Sequence, residues 1–424
     1  MSDSPTPQTV VVVGAGQAGG EIGIELRKLG FTGRVLIVGE EPFPPYKRPP
    51  LSKAFFAGTV AVENLYLIPK LGLDKAGIEC RSGVRVTRID RKTRQLDLSD
   101  GSRLAYDRLA LATGGRARLL TLPGADLPNI FPLRTITDVQ KISAHRAVGK
   151  RLVIIGGGFI GLEVAATAVK LGMQVTVLEG LPRVLARVTI PEVSEFFERV
   201  HREAGVDLRT GVQVQGFERV ADATRVTLAD GTHCDADFVV YGIGMIPNTE
   251  LAQAAGLSVD NGIVVDECTR TSDPDIVAAG DCANHPNNFA GRRIRLESVQ
   301  NAMEQAKAAA LALMDKPTPY QAVPWFWSDQ YDLKLQMAGL SAGHDRAVFR
   351  GDPATQRAFA VFYLKDGRLI ATDTVNRPQD YMLAKKLISL NATPDVARLA
   401  DALVPLKSFL PSDDLNVRIP ARQA

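Results

Sequence analysis

The sequence predicts an α/β protein: two doubly wound units of parallel sheet and helix, then a small α+β region. Three observations predict it. A β-branched run, a glycine turn and a helix follow one another at residues 9–29. The same plan recurs at residues 151–171. From about Pro324 the pattern changes to alternating strands with one long helix.

The bulk properties agree. A chain of 424 residues suits two or three domains at roughly 150 residues each. Hydrophobic residues make up 45% and charged residues 23%, which excludes a disordered, fibrous or membrane-spanning chain. Lys and Arg number 50 against 47 Asp and Glu, a net charge of +3. That balance argues against bulk nucleic-acid binding. No apolar run approaches the roughly 18 residues of a membrane helix. Residues 1–9 are polar, with Pro5 and Pro7, and lack the basic start and apolar centre of a signal peptide. The four cysteines, Cys80, Cys234, Cys268 and Cys282, are never closer than 14 residues. They form neither a disulfide nor a zinc framework, and a reducing cytoplasm is expected.

Each element has its reason. Residues 9–13 read as a buried parallel strand. Gly14-Ala15-Gly16-Gln17-Ala18-Gly19 is the turn, residues 21–29 the helix, and 34–38 the next strand, with Glu40 just beyond, 21 residues after Gly19. In the second copy the strand is 151–155, the turn Gly156-Gly157-Gly158-Phe159-Ile160-Gly161 and the helix 162–171. The following strand, 174–178, ends in Glu179, 18 residues after Gly161. The first glycine permits the tight turn, the second lets backbone approach a pyrophosphate, and the third lets helix and strand pack closely. The helix start offers free N–H groups and positive dipole to phosphate. The acid about 20 residues on accepts ribose hydroxyls. Two dinucleotide sites therefore follow, and with them a flavoprotein that exchanges electrons with a nicotinamide. The turns alone do not assign the cofactors.

A short strand at 276–279 runs into Gly280 and Asp281, a carboxylate placed to bind ribityl hydroxyls, opening toward 297–301 and a helix. Residues 110–115 read as a strand leaving one domain, and 239–248 as the return. Near the C-terminus, 358–364 and 368–373 flank the turn Asp366-Gly367, suggesting a small mixed sheet, with a helix at 378–390. Residues 412–424 read as a loose tail. Asp281, Cys282 and His285 do not close a coordination shell, so no metal is expected.

These motifs, in this order, resemble the FAD-dependent pyridine nucleotide–disulfide reductase superfamily. Within it the chain is similar to ferredoxin reductases of the oxygenase-coupled type. The specific stretches are Pro49-Pro50-Leu51-Ser52-Lys53, residues 160–165, residues 201–207, residues 324–330 and Asp373-Thr374-Val375-Asn376-Arg377-Pro378. The resemblance implies a glutathione-reductase-like fold with two Rossmann-like domains. FAD would occupy a discontinuous domain, 1–112 with 245–323. NAD would occupy 113–244, and a C-terminal α+β domain would span 324–411. It implies FAD contacts at Gly14, Gly16, Ala18, Gly19, Glu40, Arg48, Lys53, Val86, Arg134, Asp281 and Val299. NAD contacts would be Gly156, Gly158, Phe159, Ile160, Gly161 and Glu179. Glu179 favours NADH, because an acid there repels a 2′-phosphate; Arg183, four residues on, opposes that preference.

Disulfide reductases of this superfamily carry a cysteine pair after the first ribose acid, whereas residues 44–53 here contain none. The flavin itself would then hand on the electrons, which suits a 2Fe-2S ferredoxin. The resemblance puts Lys53 by the isoalloxazine ring and pairs it with Glu163. It puts Trp327 against the flavin, while Trp325 and Phe326 read as core. Lys307, Lys385 and Lys386 are candidate contacts for an acidic ferredoxin. The ferredoxin would feed a haem-thiolate monooxygenase, with a ring-hydroxylating dioxygenase as the alternative. Rival readings are a reductase of a quinone or monodehydroascorbate, and a flavoprotein of apoptosis-inducing-factor type, in which NADH mainly switches conformation or partners. The sequence shows no long insertion or organelle-targeting segment that would favour the last.

Overall fold

Two five-stranded parallel sheets carry the two glycine turns, in a computed structural model that describes residues 9–411. The chain divides into two units. One comprises residues 9–118, Arg134–Ile136 and Gly244–Ala322; the other comprises Leu119–Leu133, Thr137–Ile243 and residues 323–411.

In the first unit the strand order is Ile276–Ala278, Arg108–Leu111, Thr9–Val13, Arg34–Gly39, Ile78–Ser82. Thr9–Val13 is central and both of its partners run parallel to it. Val10, Val11 and Val12 are fully buried because both faces of the sheet are covered. Helix Gln17–Lys28 and helix Val299–Leu313 share one apolar cluster with this sheet, built from Ile22, Leu26, Ala302, Ala306, Ala309 and Val277 among others. The first helix starts at Gln17, four residues before the sequence expectation. Gly19 and Gly20 depress helix propensity, but packing overrides it: a Cβ on Gly19 would lie 1.8 Å from the Gly14 carbonyl oxygen.

The second unit repeats the plan, with order Asp207–Thr210, Gln174–Glu179, Arg151–Ile155, Phe238–Tyr241, Ile130–Pro132. Arg151–Ile155 again lies between the acid-bearing strand and a later strand, all parallel. In both units the glycine turn therefore sits at a topological switch point, outside the carboxyl ends of the strands, where open α/β sheets bind ligands.

The expected outgoing strand, 110–115, is two strands, Arg108–Leu111 and Gly115–Ala117. The return likewise splits into Phe238–Tyr241 and Met245–Pro247. Gly115–Ala117 pairs antiparallel with Met245–Pro247, and Asn248 Nδ2 donates to the Thr113 carbonyl at 2.9 Å.

The C-terminal sheet runs Trp325–Gln330, Leu333–Gly339, Arg368–Val375, Phe359–Lys365, Arg346–Arg350. Every pair is antiparallel, which corrects the expected mixed sheet. The reason lies in the turns. Asp366 and Gly367 both have positive φ, 51° and 77°, the signature of a two-residue hairpin, and such hairpins join only antiparallel strands. Helix Pro378–Ser389 follows, its Ala384, Leu387 and Ile388 buried. Residues 412–424, expected as a tail, lie outside the described residues. Among the described residues no helix is long and apolar enough to cross a membrane.

Candidate functional site

In the first unit the glycine turn is shaped by its neighbours. Gly14 has φ +112°, and a Cβ there would lie 2.1 Å from the Ala112 carbonyl oxygen. Nothing lies within 4 Å of a Cβ on Gly16, so the space beside its backbone is open. Gly16 is the N-cap of helix Gln17–Lys28, with no side-chain cap hydrogen bond and no acid in the first turn. These uncapped N–H groups suit a pyrophosphate. Ala18 is buried in that first turn. Glu40, exposed beyond strand Arg34–Gly39, lies 4.0 Å from Arg85 Nη1. Val86 is buried at the start of the next antiparallel sheet.

Gly280 has φ +82°, a Cβ there would approach Ala18 Cβ to 2.9 Å, and its amide donates to Gln305 Oε1 at 2.8 Å. This turn aims half-buried Asp281 at Arg134, whose Nη2 donates to Asp281 Oδ2 at 2.9 Å. Arg134 also accepts, through its carbonyl, a hydrogen bond from Arg48 Nη1 at 2.8 Å. Arg48 Nη2 is paired with Glu41 Oε1 at 2.7 Å. Tyr46 donates to Glu41 Oε2 at 2.6 Å, and burial pushes its phenol well above the ordinary range. The structure thus brings together Arg48, Arg134 and Asp281. Sequence reasoning missed Glu41 and Tyr46, which orient Arg48; the only signal was their position beside the first acid. Val299 opens helix Val299–Leu313, capped by Ser298. Lys53 is half-buried after the 3-10 turn Pro49–Ser52, its Nζ 3.4 Å from the Pro49 carbonyl.

In the second unit Gly156 has φ +109° and faces the Gly242 carbonyl, while Gly158 is open. Gly158 is the N-cap of helix Phe159–Lys170, again without a side-chain cap. Ile160 is exposed, Phe159 half-buried and Gly161 buried. The Glu179 carboxylate accepts from two backbone amides: Oε2 from Gly157 at 2.6 Å and Oε1 from Leu181 at 2.8 Å. Arg183 turns inward: Nη1 donates to Ser194 Oγ at 2.6 Å and Nη2 to the Ala186 carbonyl at 3.1 Å. Both turns therefore fit a dinucleotide.

Glu163 is 5% exposed on the same helix. It ends a polar chain that sequence reasoning did not find. Tyr331 donates to His201 Nδ1 (3.0 Å), His201 Nε2 to Gln330 Oε1 (2.9 Å), Gln330 Nε2 to Ser328 Oγ (3.1 Å), and Ser328 to Glu163 Oε1 (2.7 Å). The amide oxygen of Gln330 can only accept, which fixes this direction. Burial pushes His201 down to about 4, so the imidazole is neutral. Ser328 and Gln330 share one face of strand Trp325–Gln330 by its period of two, and Trp325 and Trp327 the other. Trp325, Phe326 and Trp327 are all half-buried, which corrects the expectation of Trp325 and Phe326 as core. Phe326 packs on Phe159 with ring centres 4.5 Å apart, and Lys385 Nζ lies 5.1 Å from the Trp325 ring centre. Lys386 is half-buried and Lys307 exposed.

Cys282 is buried beneath Asp281 against the Leu111 and Ala279 carbonyls. His285 is buried against the Tyr320 ring. Among the described residues no group of three or more His, Cys, Asp or Glu is arranged to hold a metal.

Residues 8–306 match the family described as pyridine nucleotide-disulphide oxidoreductase. Residues 325–410 match the one described as reductase C-terminal. The chain is 49% identical over 407 residues to putidaredoxin reductase of Pseudomonas putida, covering 95% of this chain and 96% of that protein. It is 40% identical over 401 residues to the ferredoxin–NAD(+) reductase component of the anthranilate 1,2-dioxygenase system of Burkholderia cepacia, covering 94% and 98%. Its fold is similar to the solved covalent putidaredoxin reductase–putidaredoxin complex, with TM-score 0.91, 48% identity, and coverage of 95% of this chain and 98% of that one.

Proposed function

The chain belongs to the pyridine nucleotide–disulphide oxidoreductase family, whose cofactors are FAD and NAD(P)H, and from that premise we propose that it is an NADH-dependent ferredoxin reductase of an oxygenase system. The observation that carries this reading is the 49% identity with putidaredoxin reductase along 95% of the chain. The thiol-free stretch 44–53 supports it, since no dithiol stands there to relay electrons.

The first glycine turn would hold FAD and the second the nicotinamide nucleotide. Bound FAD supplies the redox chemistry, accepting a hydride and releasing electrons singly. The residues position it. Gly14, Gly16, Ala18 and Gly19 clear and line the phosphate approach. Glu40, exposed and only loosely paired with Arg85, would meet a ribose. Arg134 and Asp281 form a half-buried ion pair, and Arg48, Val86, Lys53 and Val299 complete the proposed contacts. In the second unit Gly156, Gly158, Phe159, Ile160 and Gly161 form the phosphate end, and Glu179 the ribose end. NADH is the proposed donor because Glu179 is an acid and Arg183 is already spent on Ser194 and Ala186. Lys53, Glu163 and Trp327 are the residues proposed for the flavin side of the chemistry. The polar chain from Tyr331 ends in a hydroxyl donor, Ser328, on Glu163.

The partner proposed is a 2Fe-2S ferredoxin, received by Lys307, Lys385 and Lys386 and feeding a haem monooxygenase. The four cysteines are free thiols, which supports a reducing cytoplasm. Anaerobic stopped flow tests the whole reading. Flavin absorbance should bleach fast with NADH and slowly with NADPH, then recover when a 2Fe-2S ferredoxin is added. Bleaching that a panel of ferredoxins does not reverse, but a quinone does, would overturn the partner.

A further inference from the structure

The nucleotide sites leave one buried charged cluster unused. Asp373, in the stretch Asp373-Thr374-Val375-Asn376-Arg377-Pro378, is 1% exposed on strand Arg368–Val375. Its Oδ2 accepts from Thr189 Oγ1 at 2.5 Å and from the Tyr363 hydroxyl at 2.6 Å. His344 packs edge-on against the Tyr363 ring, centres 5.0 Å apart. Thr189 and Ile190 end the loop that begins after Glu179 and leads into helix Pro191–Glu203.

That loop reaches the second glycine turn. Leu185 is buried there in the left-handed region, φ +54°. Its amide donates to the Gly157 carbonyl at 3.0 Å. Its own carbonyl accepts from Val188 at 3.0 Å and Thr189 at 3.2 Å. A Cβ on Gly157 would touch Val184 at 3.0 Å and Glu179 at 3.1 Å, so loop and turn are closely packed. A leucine in the left-handed region persists only where its surroundings over-determine it. Here one end is fixed by Gly157 and the other by Thr189.

We propose that Asp373 is a positioning residue for the nicotinamide nucleotide: through Thr189 it holds the 180–190 loop against the second glycine turn and so presents Glu179 and the open Gly158 preformed. The inference rests on the reading of that turn as the NADH site. A buried carboxylate suits the task because it accepts two hydroxyl donors at once in a place with no water to compete. Its partners, Thr189 and Tyr363, lie outside the glycine turn itself, so its effect reaches that turn through the loop and falls on binding.

The test uses the FAD-loaded protein and two readouts. ADP-ribose, which carries no nicotinamide, is titrated by calorimetry, and KM and kcat are measured with NADH and ferricyanide. Thr189→Val keeps the volume and removes one hydrogen bond. It should weaken ADP-ribose about tenfold, the effect of losing one charge-assisted hydrogen bond. KM should rise in step, with kcat and flavin content unchanged. Asp373→Asn, which keeps an acceptor oxygen for both hydroxyls but loses the charge, should weaken ADP-ribose less than Thr189→Val, whereas Asp373→Leu should behave as Thr189→Val or worse. Unaltered ADP-ribose binding in Thr189→Val, or a fall in kcat at unchanged KM, would overturn the proposal. If the wild type bleaches with NADH but does not bind ADP-ribose, the positioning role falls alone. If it does neither, the underlying reading of the site falls as well.

Discussion

Replacing Glu179 by Gln should exchange much of the preference for NADH over NADPH. The carboxylate offers about four acceptor positions, and the amides of Gly157 and Leu181 occupy two of them. The remaining positions are available to ribose hydroxyls. A hydrogen bond to a charged group is worth about 1.5–3 kcal/mol and a neutral one about 0.5–1.5, so losing the charge costs about 1–1.5 kcal/mol, or roughly 5–13-fold in kcat/KM for NADH. For NADPH the sign reverses. A 2′-phosphate carries about −1.5 to −2 charges, and at a half-exposed site its repulsion by Glu179 lies between water and protein-surface values. Relief of about 1–2 kcal/mol, or roughly tenfold, is expected. The local cost must be separated from the charge effect. Gln has one acceptor oxygen, so one of the two amides would face its NH2 group and lose its partner. That penalty loosens the loop for both nucleotides alike. Glu179→Asp serves as the control: it keeps the charge, is too short to reach both amides, and should lower both nucleotides by one factor. The assay is steady-state kcat/KM with NADH and NADPH, using ferricyanide as acceptor. If Glu179→Gln lowers both nucleotides equally, Glu179 supports the loop and does not select the cofactor.

Gly14→Ala should yield protein without bound flavin, because its Cβ would lie 2.1 Å from a backbone oxygen at φ +112°; the ratio of flavin to protein absorbance reads this directly. Gly16→Ala meets nothing within 4 Å and should fold while holding FAD weakly. His201 should make the fold acid-sensitive. Its folded value, about 4, lies below the ordinary histidine value of about 6.5, so the unfolded chain binds more protons between those limits and stability falls as pH drops through them. By pH 5 the loss is about 2 kcal/mol, and His201→Gln should flatten the thermal midpoint between pH 7 and 5; an unchanged slope would show that another group carries it. Lys307→Glu should raise the KM for ferredoxin several-fold and blunt its salt dependence without altering ferricyanide reduction.

The glycine turns and their strands were legible because they obey local rules. Only glycine tolerates Gly14 and Gly156, and β-branched runs bury well on both faces. The same logic located Asp281, whose orientation depends on the adjacent Gly280. What was not legible depends on contacts distant in sequence. Ser328 lies 165 residues from Glu163, and Asp373 lies 184 from Thr189. No periodicity predicts such pairs. His201 sat in a helix with scattered histidines elsewhere, so nothing local distinguished it from a packed core residue. The C-terminal sheet was misjudged because strand alternation does not reveal pairing direction, although the Asp366-Gly367 hairpin did. Trp325 and Phe326 were misjudged because an aromatic cluster has the same composition in a core as on a half-covered sheet face.

The two nucleotide sites share a plan but differ in how their polar groups are held, and the difference matches what each would have to do. In the first unit Glu40 is exposed and barely touched by Arg85, while the fixed groups are the linked pairs Arg48–Glu41 and Arg134–Asp281. A cofactor that stays bound repays its ordering cost once, with folding. In the second unit Glu179, the acid proposed to meet the ribose, is itself fixed by two backbone amides, and its loop is tied at both ends. A nucleotide that arrives and leaves in every cycle gains each time from a site that needs no ordering on arrival. The polarity of the Tyr331–His201–Gln330–Ser328–Glu163 chain extends this reasoning. Each donor in it points toward Glu163, and its neutral histidine brings no charge that would compete with the carboxylate. Removing one hydroxyl, as in Ser328→Ala, should therefore disturb Glu163 more than its modest size suggests, because the last donor of the chain is lost while the carboxylate remains buried.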